Sequence, residues 1–292
     1  MKNIKISFIG GGNMAASLIG GLLADNLQAG QITVTDPNER CRENLAAHFG
    51  VHTTDDNAAA IAEADVVVMA VKPQVLQSVA EASAPAVQAG QPLVVTVAAG
   101  IRSVDLNRWL GGESGKPVAV VRAMPNTPAL VQTGATGLYA SAQVSDEQRD
   151  LAETILRAAG LTLWVQDEDQ MDAVTALSGS GPAYFFRIME AMQTAGTELG
   201  LPAETARLLT MQTALGAAKM ALESSESVTT LRERVTSPGG TTEQGLRVLA
   251  ENNIDQLMAK VLKAAFERSR KLASDLSNNQ KKNKQENKKG DS

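Results

Sequence analysis

The chain has 292 residues and a net charge of −5; 43% of its residues are hydrophobic and 20% are charged. This composition can bury a large core, and the length suits two domains of ordinary size. A chain with a net negative charge lacks the excess of basic residues that binding to the phosphate backbone of a nucleic acid requires. The composition therefore argues against nucleic acid as a partner and favours a small-molecule ligand.

The rare residues and the N-terminal segment narrow the class further. Cys41 is the one cysteine, so an internal disulfide framework is ruled out. Two histidines, His48 and His52, leave little material for a transition-metal site, and we predict no metal. The N-terminus runs straight into an apolar strand pattern, without the pattern of a signal peptide or a membrane span. We expect a cytoplasmic protein with no membrane partner.

The first half of the chain has the pattern of an α/β domain. Short β-branched runs alternate with helical patterns, which is typical of a parallel sheet wrapped by helices. Several runs are continuously apolar, as strands buried on both faces are. The predicted strands cover residues 4–9, 31–35, 65–71, 92–97, 118–122, 135–140 and 161–165, with a helix at 146–159. We predict a doubly wound Rossmann-type domain over residues 1–165.

The second half is predicted to be all-α. Glycine or proline stands at several breaks between long helical patterns, and no strand pattern intervenes. The predicted helices cover residues 169–177, 182–199, 202–223, 229–234, 241–251 and 253–276. We expect a helical dimerisation and substrate domain over residues 166–276. The polar tail at 277–292 has no apolar residue to bury and is predicted to be disordered.

Residues 208–222 predict self-association. This segment is apolar around almost its whole circumference, so it must be buried on every side. A helical domain of this size rarely buries an inner helix so well by itself, which favours a second subunit as its cover. The alternative is the central helix of a compact bundle.

A glycine-rich turn follows the first predicted strand. Gly10-Gly11-Gly12-Asn13-Met14-Ala15 matches G-x-G-x-x-A and opens a helical pattern. Gly10 allows a tight turn, Gly12 lets the backbone approach a pyrophosphate, and Ala15 permits close packing of the helix on the strand. The helix N-terminus supplies donors and a positive dipole. This context predicts a nicotinamide dinucleotide site.

Asp36 ends the second predicted strand, where Rossmann domains place the carboxylate that holds the adenosine ribose and favours NAD. A second interpretation is a capping box, with Asp36 as the N-cap, Pro37 at the first helical position and Glu39 reaching back. Arg40 and Arg42 would meet a ribose phosphate if Asp36 were turned away. The sequence leaves the choice between NADH and NADPH open.

Three further turns are predicted at the carboxyl edge of the sheet. Ligands of open α/β sheets bind in the crevice at this edge, so the turns at 70–73 and 97–100 should lie beneath the nicotinamide half of the coenzyme, while the stiff loop at 124–128 suits ligand positioning. Solvation of Lys72 and plain turn chemistry are the alternatives. The turns are Ala70-Val71-Lys72-Pro73, Val97-Ala98-Ala99-Gly100 and Met124-Pro125-Asn126-Thr127-Pro128, and we count Asn126 among the coenzyme residues.

Two polar loops in the helical half each run into a predicted helix. They are Ser178-Gly179-Ser180-Gly181-Pro182 and Thr236-Ser237-Pro238-Gly239-Gly240-Thr241-Thr242. Small residues, hydroxyls and free backbone donors at a helix N-terminus suit a substrate carboxylate, and we count Ser180 among its ligands. Ordinary N-capping by serine or threonine is the alternative.

The absence of a strong acid points to the chemistry. Neither His48 nor His52 belongs to the helical half, whereas a ketone reductase usually needs a strong proton donor. A cyclic imine that is protonated in solution is already electrophilic, so orientation, a dry pocket and a nearby hydroxyl suffice. Tyr184 and Lys219 are competing donors. A hydroxyacid dehydrogenase using Lys219 and a coenzyme sensor without turnover remain alternative hypotheses.

Six segments together resemble the pyrroline-5-carboxylate reductase family, nearly to the start of the tail. They are Phe8-Ile9-Gly10-Gly11-Gly12-Asn13-Met14, Ala70-Val71-Lys72-Pro73, Ala98-Ala99-Gly100, Met124-Pro125-Asn126-Thr127-Pro128, Leu177-Ser178-Gly179-Ser180-Gly181-Pro182-Ala183-Tyr184 and Ser237-Pro238-Gly239-Gly240-Thr241-Thr242. The resemblance implies hydride transfer from NADPH or NADH to the imine carbon of pyrroline-5-carboxylate, giving L-proline. It also implies a Rossmann domain followed by a helical domain that interlocks in a dimer, often assembled into a decamer.

The resemblance also assigns residues by position. It implies that the coenzyme is lined by Ile9, Gly10, Gly11, Gly12, Asn13, Met14, Asp36, Asn57, Ala70, Val71, Lys72, Pro73, Val97, Ala98 and Ala99. It implies that the substrate is held by Val235, Ser237, Gly240, Thr241 and Thr242, with the Thr242 hydroxyl nearest the ring nitrogen. The chain departs from the family pattern at Asp36, where many relatives have an uncharged residue, and at 225–230, which lacks a common His-Pro-Gly.

Overall fold

The computed structural model describes residues 4–290, with side chains described for residues 4–275. Within this part the chain forms two compact units. The first unit comprises residues 4–180 together with 265–275, and the second comprises residues 181–264. The predicted disordered tail at 277–292 lies outside the residues whose side chains are described.

The first unit contains, within the described residues, one eight-stranded sheet in the order β3-β2-β1-β4-β5-β6-β7-β8. All neighbouring strands are parallel except β6 and β7. The reversal of strand order between β1 and β4 is the switch point of a Rossmann domain, so the predicted fold is confirmed. The strands are β1 (Ile6–Ile9), β2 (Ile32–Thr35), β3 (His52–Thr54), β4 (Val66–Met69), β5 (Leu93–Thr96), β6 (Val120–Met124), β7 (Gly134–Ala140) and β8 (Gly160–Trp164).

Two features of the sheet differ from the predicted strand set. β3 was not predicted, because its three residues, His-Thr-Thr, carry no apolar side chain and the strand lies at an edge of the sheet. β7 runs antiparallel to β6, since only a short 3₁₀ helix, Thr127–Val131, separates them. A parallel return would need a crossover of a dozen or more residues.

Helices cover both faces of the sheet. They are α1 (Asn13–Ala24), α2 (Glu39–Phe49), α3 (Asn57–Ala62), α4 (Pro73–Gly90), α5 (Ser103–Trp109), α6 (Asp146–Arg157) and α7 (Gln170–Val174). Neighbouring side chains of β1 divide between two cores: Phe8 packs with α1, α2 and α6, whereas Ile9 packs with α3, α4 and α5. Continuously apolar strands are therefore buried on both faces, as the sequence predicted.

Residues 166–180 stay with the sheet, so the division between the compact units comes later than the domain boundary expected after residue 165. Val174 of α7 packs so closely on β7 that a Cβ added to Gly137 would lie 2.5 Å from it. The Asp172 carboxylate accepts a 2.6 Å hydrogen bond from the hydroxyl of Ser269, which is 5% exposed. The sequence boundary was placed where strand patterns give way to helical patterns, and this change carries no information about such tertiary contacts.

The second unit is all-α, as predicted. It contains α8 (Gly181–Glu198), α9 (Ala203–Glu223), α10 (Val228–Arg234), α11 (Thr241–Glu251) and the first part of α12 (Ile254–Gly290). α8 and α9 pack on each other, and a Cβ at Gly196 would touch Ala206 at 3.4 Å. Within the part of the chain that the structure describes, none of the helices qualifies as a membrane-spanning segment.

The single chain leaves α9 largely uncovered. Among residues 203–223, only Ala206 and Thr210 are buried. The exposed apolar side chains on this helix are Leu208, Leu209, Met211, Leu215, Met220 and Leu222, and Leu222 is 81% exposed. The described residues do not enclose α9, so the alternative of a central helix in a compact bundle is wrong.

Candidate active site

The glycine turn (residues 10–12) joins β1 to α1 at the carboxyl edge of the sheet. Gly10 has φ of +101°, which favours glycine, and its N–H donates to the Thr35 carbonyl at 2.8 Å. A Cβ on Gly10 would lie 2.9 Å from the Ala70 carbonyl oxygen. The chain is thus folded tightly between the ends of β2 and β4, as the sequence predicted for Gly10.

The start of α1 fits a pyrophosphate. Gly12 is the N-cap of α1, and no side chain caps the helix or adds negative charge to its first turn. A Cβ on Gly12 would meet no atom within 4 Å, so the space beside the backbone is open. Ala15 is fully buried against the strand. Open space, unfilled N–H donors and the helix dipole together make a receptor for the two phosphates of a dinucleotide.

Asp36 forms one long-range contact that the capping interpretation did not foresee. The N-cap of α2 is Asn38, whose side chain accepts from the Cys41 N–H at 3.2 Å, so the predicted capping box at Asp36 is wrong. One carboxylate oxygen of Asp36 accepts from the Gly11 N–H at 2.9 Å, and the other accepts from the Asn38 N–H at 2.9 Å. The carboxylate is therefore turned toward the glycine turn.

The other predicted coenzyme turns also lie at this edge. The Ala70 N–H donates to the Ile9 carbonyl at 2.8 Å, and the Val97 N–H donates to the Met69 carbonyl at 3.3 Å, so both turns continue their strands. Lys72, the N-cap of α4, is exposed and forms no ion pair within residues 4–275. The Asn57 side-chain oxygen accepts from the Thr35 hydroxyl at 2.5 Å.

Asn126 ties two predicted ligand segments together. Its side-chain N–H donates to the Ser178 carbonyl at 3.0 Å, and its oxygen accepts from the Ala135 N–H at 2.9 Å. The Met124 side chain packs so tightly on Gly179 that an added Cβ would lie 2.7 Å from it. Asn126 therefore holds the segment around Ser178 against the end of β6.

The predicted loop at 178–182 is helical instead. Residues Thr175–Gly179 form a π-helix, in which the Ser180 N–H donates to the Thr175 carbonyl at 2.9 Å, and α8 begins at Gly181. The Ser178 hydroxyl donates to the Val174 carbonyl at 2.9 Å. Serine and glycine suggested a loop, but the close contact of Gly179 with the strand end decided the structure. Single π turns occur often at functional sites.

The loop between α10 and α11 (residues 235–240) carries the other group of predicted ligands in the second unit. Gly240 is the N-cap of α11 and no side chain caps this helix, so N-capping by serine or threonine is the wrong interpretation. The hydroxyls of Ser237, Thr241 and Thr242 are exposed and have no hydrogen-bond partner within residues 4–275. Val235 is also exposed, at 60%. The N–H groups of Gly239 and Gly240 are already bonded, to the Glu243 carboxylate at 2.8 Å and to the Ser237 carbonyl at 3.0 Å. The three hydroxyls are therefore the free polar groups at this helix N-terminus.

An ion pair that the sequence analysis did not single out connects β6 with the start of α5. Arg122 on β6 donates to Glu168 at 2.8 Å, and their side chains are 9% and 14% exposed. Glu168 also accepts from the N–H of Ser103 at 2.6 Å and from its hydroxyl at 3.0 Å. Ser103 begins α5 shortly after the 97–100 turn. An arginine inside an apolar strand was the available sequence signal.

Comparison with known proteins covers nearly the whole chain. Residues 168–272 match the family described as pyrroline-5-carboxylate reductase dimerisation, and residues 5–100 match NADP oxidoreductase coenzyme F420-dependent. A pyrroline-5-carboxylate reductase of Pseudomonas aeruginosa is 52% identical over 276 residues, which are 94% of this chain and 99% of the relative. The chain belongs to the pyrroline-5-carboxylate reductase family. The resemblance seen in the sequence is confirmed.

Solved structures agree with this membership. A pyrroline-5-carboxylate reductase from Coxiella burnetii is 48% identical with a TM-score of 0.89, and the match covers 93% of this chain and 99% of that one. The Plasmodium falciparum pyrroline carboxylate reductase, solved with NADP bound, is 28% identical with a TM-score of 0.81, covering 94% and 99%. The expected Rossmann domain followed by a helical dimerisation domain is the architecture of this family.

Proposed function

We propose that this chain reduces the cyclic imine pyrroline-5-carboxylate to L-proline by hydride transfer from NADPH or NADH, the last step of proline biosynthesis. The observation that carries the proposal is the uncapped start of α11, with the free hydroxyls of Ser237, Thr241 and Thr242, in a chain that also has a glycine turn before α1. Family membership supports both the reaction and the use of NAD(P)H.

The residue assignments are part of this proposal. The coenzyme is assigned to Ile9, Gly10, Gly11, Gly12, Asn13, Met14, Asp36, Asn57, Ala70, Val71, Lys72, Pro73, Val97, Ala98, Ala99 and Asn126. The substrate is assigned to Ser180, Val235, Ser237, Gly240, Thr241 and Thr242. For Asn126 the structure favours an indirect part, because its amide is bonded to Ser178 and Ala135.

The chemistry asks little of the protein beyond binding and orientation. The coenzyme, when bound, supplies the hydride to the imine carbon. The backbone N–H groups that open α11 would hold the substrate carboxylate, and the Thr242 hydroxyl would hydrogen-bond the ring nitrogen. A ring nitrogen that is already protonated becomes the neutral amine of proline when the carbon receives the hydride. No histidine acid is needed, which agrees with the positions of His48 and His52 outside the second unit.

Replacing Thr242 tests the substrate assignment. We expect purified protein to oxidise NADH or NADPH when pyrroline-5-carboxylate is added and to form proline. Thr242→Ala should lower kcat at least about tenfold, because one oriented hydrogen bond to the reacting group is lost. The dissociation constant of the Thr242→Ala variant for the oxidised coenzyme should be the same as that of the wild type. Steady-state rates and calorimetric titration give these quantities.

Thr242→Ser serves as the control, since it keeps the hydroxyl and should retain most of the activity. If neither NADH nor NADPH supports the formation of proline, the proposed reaction is contradicted. Full activity of Thr242→Ala would contradict the role of its hydroxyl alone.

We also propose that the chain works as a dimer that assembles further into a decamer. The exposed apolar side chains of α9 and the dimerisation family that matches residues 168–272 support the dimer. The decamer rests on the family resemblance of the sequence alone. Sedimentation equilibrium is expected to give the mass of a dimer or decamer. Leu215→Glu, which places a charge on the 61%-exposed apolar face, should shift the protein toward monomers. A wild-type monomer at micromolar concentration would contradict the proposal.

The proposed location is the cytoplasm. With Cys41 as the one cysteine, the chain has no internal disulfide that would call for an oxidising compartment.

A further inference from the structure

The adenosine end of the coenzyme site contains an acidic side chain that the structure fixes in place. Each carboxylate oxygen of Asp36 accepts one backbone N–H, from Gly11 and from Asn38, both at 2.9 Å. The guanidinium of Arg42 donates to the main-chain oxygen of Asp36 at 2.7 Å. These three contacts hold the carboxylate beside the glycine turn, and each of its oxygens retains a further acceptor position.

A pocket opens beside this carboxylate, between the glycine turn and the start of α2. It is lined by Gly11, Asn38, Arg40, Cys41, Asn44 and Leu45. When the pyrophosphate lies at the N-terminus of α1, the adenosine ribose reaches the end of β2, where Asp36 stands. The 2′ substituent of this ribose is a hydroxyl in NADH and a phosphate in NADPH, so the charges around the pocket decide which coenzyme is accepted.

Two charged side chains oppose each other at this position. Arg40 is exposed and forms no ion pair within residues 4–275, so its attraction for a phosphate is screened by water and salt. Asp36 is half-buried and held by its two backbone donors, so its charge is fixed at short range. Burial, followed by the charge of Asp36, raises the pKa of the Cys41 thiol on the pocket wall.

We infer that this chain prefers NADH to NADPH, because Asp36 accepts hydrogen bonds from the ribose hydroxyls and repels a 2′-phosphate. This inference rests on the proposed function, since it concerns the coenzyme of the same reaction. Arg40 supplies the residual affinity for NADPH.

The test measures binding and turnover separately. Calorimetry on the purified enzyme without substrate gives the dissociation constants of NAD⁺ and NADP⁺, and steady-state kinetics gives kcat/KM with NADH and NADPH. We expect the wild type to favour the non-phosphorylated coenzyme at least about tenfold in both measurements, given the size of charge repulsion at contact distance. Asp36→Asn, which removes the charge at constant shape, should reduce that ratio at least about tenfold.

Two further variants make the result specific. Glu43→Gln removes the same charge from an exposed position on α2 that, unlike Asp36, has no hydrogen bond to the pocket residues Gly11 and Asn38, and it should leave the ratio as it is in the wild type. Arg40→Gln should increase the preference for NADH, because it removes the side chain that attracts the 2′-phosphate. If Asp36→Asn does not fold, this variant tests the inference in its place. Equal or tighter binding of NADP⁺ by the wild type overturns the inference, and so does an equal response to Glu43→Gln and Asp36→Asn. The dissociation constants of NAD⁺ and NADP⁺ are measured without substrate. A protein that makes no proline would therefore refute the proposed function, while its coenzyme preference could still be determined.

Discussion

Gly21→Ala is expected to lower the free energy of unfolding by about 3 kcal/mol or more, the upper end for overpacked cores. Gly21 is buried where α1 crosses the end of α6. An added Cβ would lie 2.0 Å from the carbonyl oxygen of Ala158 and 2.6 Å from its carbonyl carbon. Both atoms are backbone and cannot rotate away, so one helix must move. Because we propose that α1 presents the donors for the coenzyme, its displacement should also weaken coenzyme binding.

Gly20→Ala provides a control one residue away on the same helix. Its added Cβ would meet the ring of Phe49 at 3.4 Å, which is an ordinary contact. Alanine in a helix is favoured over glycine by about 1 kcal/mol, so this variant should be as stable as the wild type or slightly more stable. Guanidinium unfolding at equal protein concentration compares the three proteins. The same midpoint for both variants would show that α1 does not pack this closely on Ala158.

The Rossmann half was largely predictable because its signals are local and strong. Apolar runs buried on both faces, such as Val66–Met69, can hardly be anything but inner strands, and the glycine turn marks the first crossover. β3 failed this test because His-Thr-Thr carries no hydrophobic pattern and is recognisable only by its pairing with β2. β7 is antiparallel to β6 because the connection between these two strands is short. The sequence pattern alone did not reveal this direction.

The candidate site was less predictable, since its contacts join distant segments. Asp36 and Pro37 satisfied a local capping rule, yet the carboxylate binds Gly11, which is 25 residues away. At 178–182, glycine and serine are typical of loops, but the contact of Gly179 with Met124 favours a π-helix. Local pattern rules fail where a tertiary hydrogen bond or a close backbone approach is stronger than the local preference.

Removal of Glu168 should be the second large effect. Glu168→Ala is expected to cost about 3–5 kcal/mol, because it leaves the buried guanidinium of Arg122 without its partner. It also leaves the N–H of Ser103, at the start of α5, without its 2.6 Å acceptor. α5 follows the 97–100 turn, so the KM for the coenzyme should rise together with the loss of stability. Denaturant unfolding and steady-state kinetics on the same preparation measure both effects.

Asp169→Ala distinguishes burial from charge, because the two acidic residues are neighbours in the chain. Asp169 pairs with Arg102, but these side chains are 73% and 41% exposed. Exposed pairs contribute about 0–1 kcal/mol, so this variant should keep nearly wild-type stability and coenzyme KM. If both alanine variants unfold alike, the buried Arg122–Glu168 pair does not support the coenzyme edge. If only Glu168→Ala is unstable and also raises the KM, the pair holds the start of α5, and with it the preceding turn, in the position that binding requires.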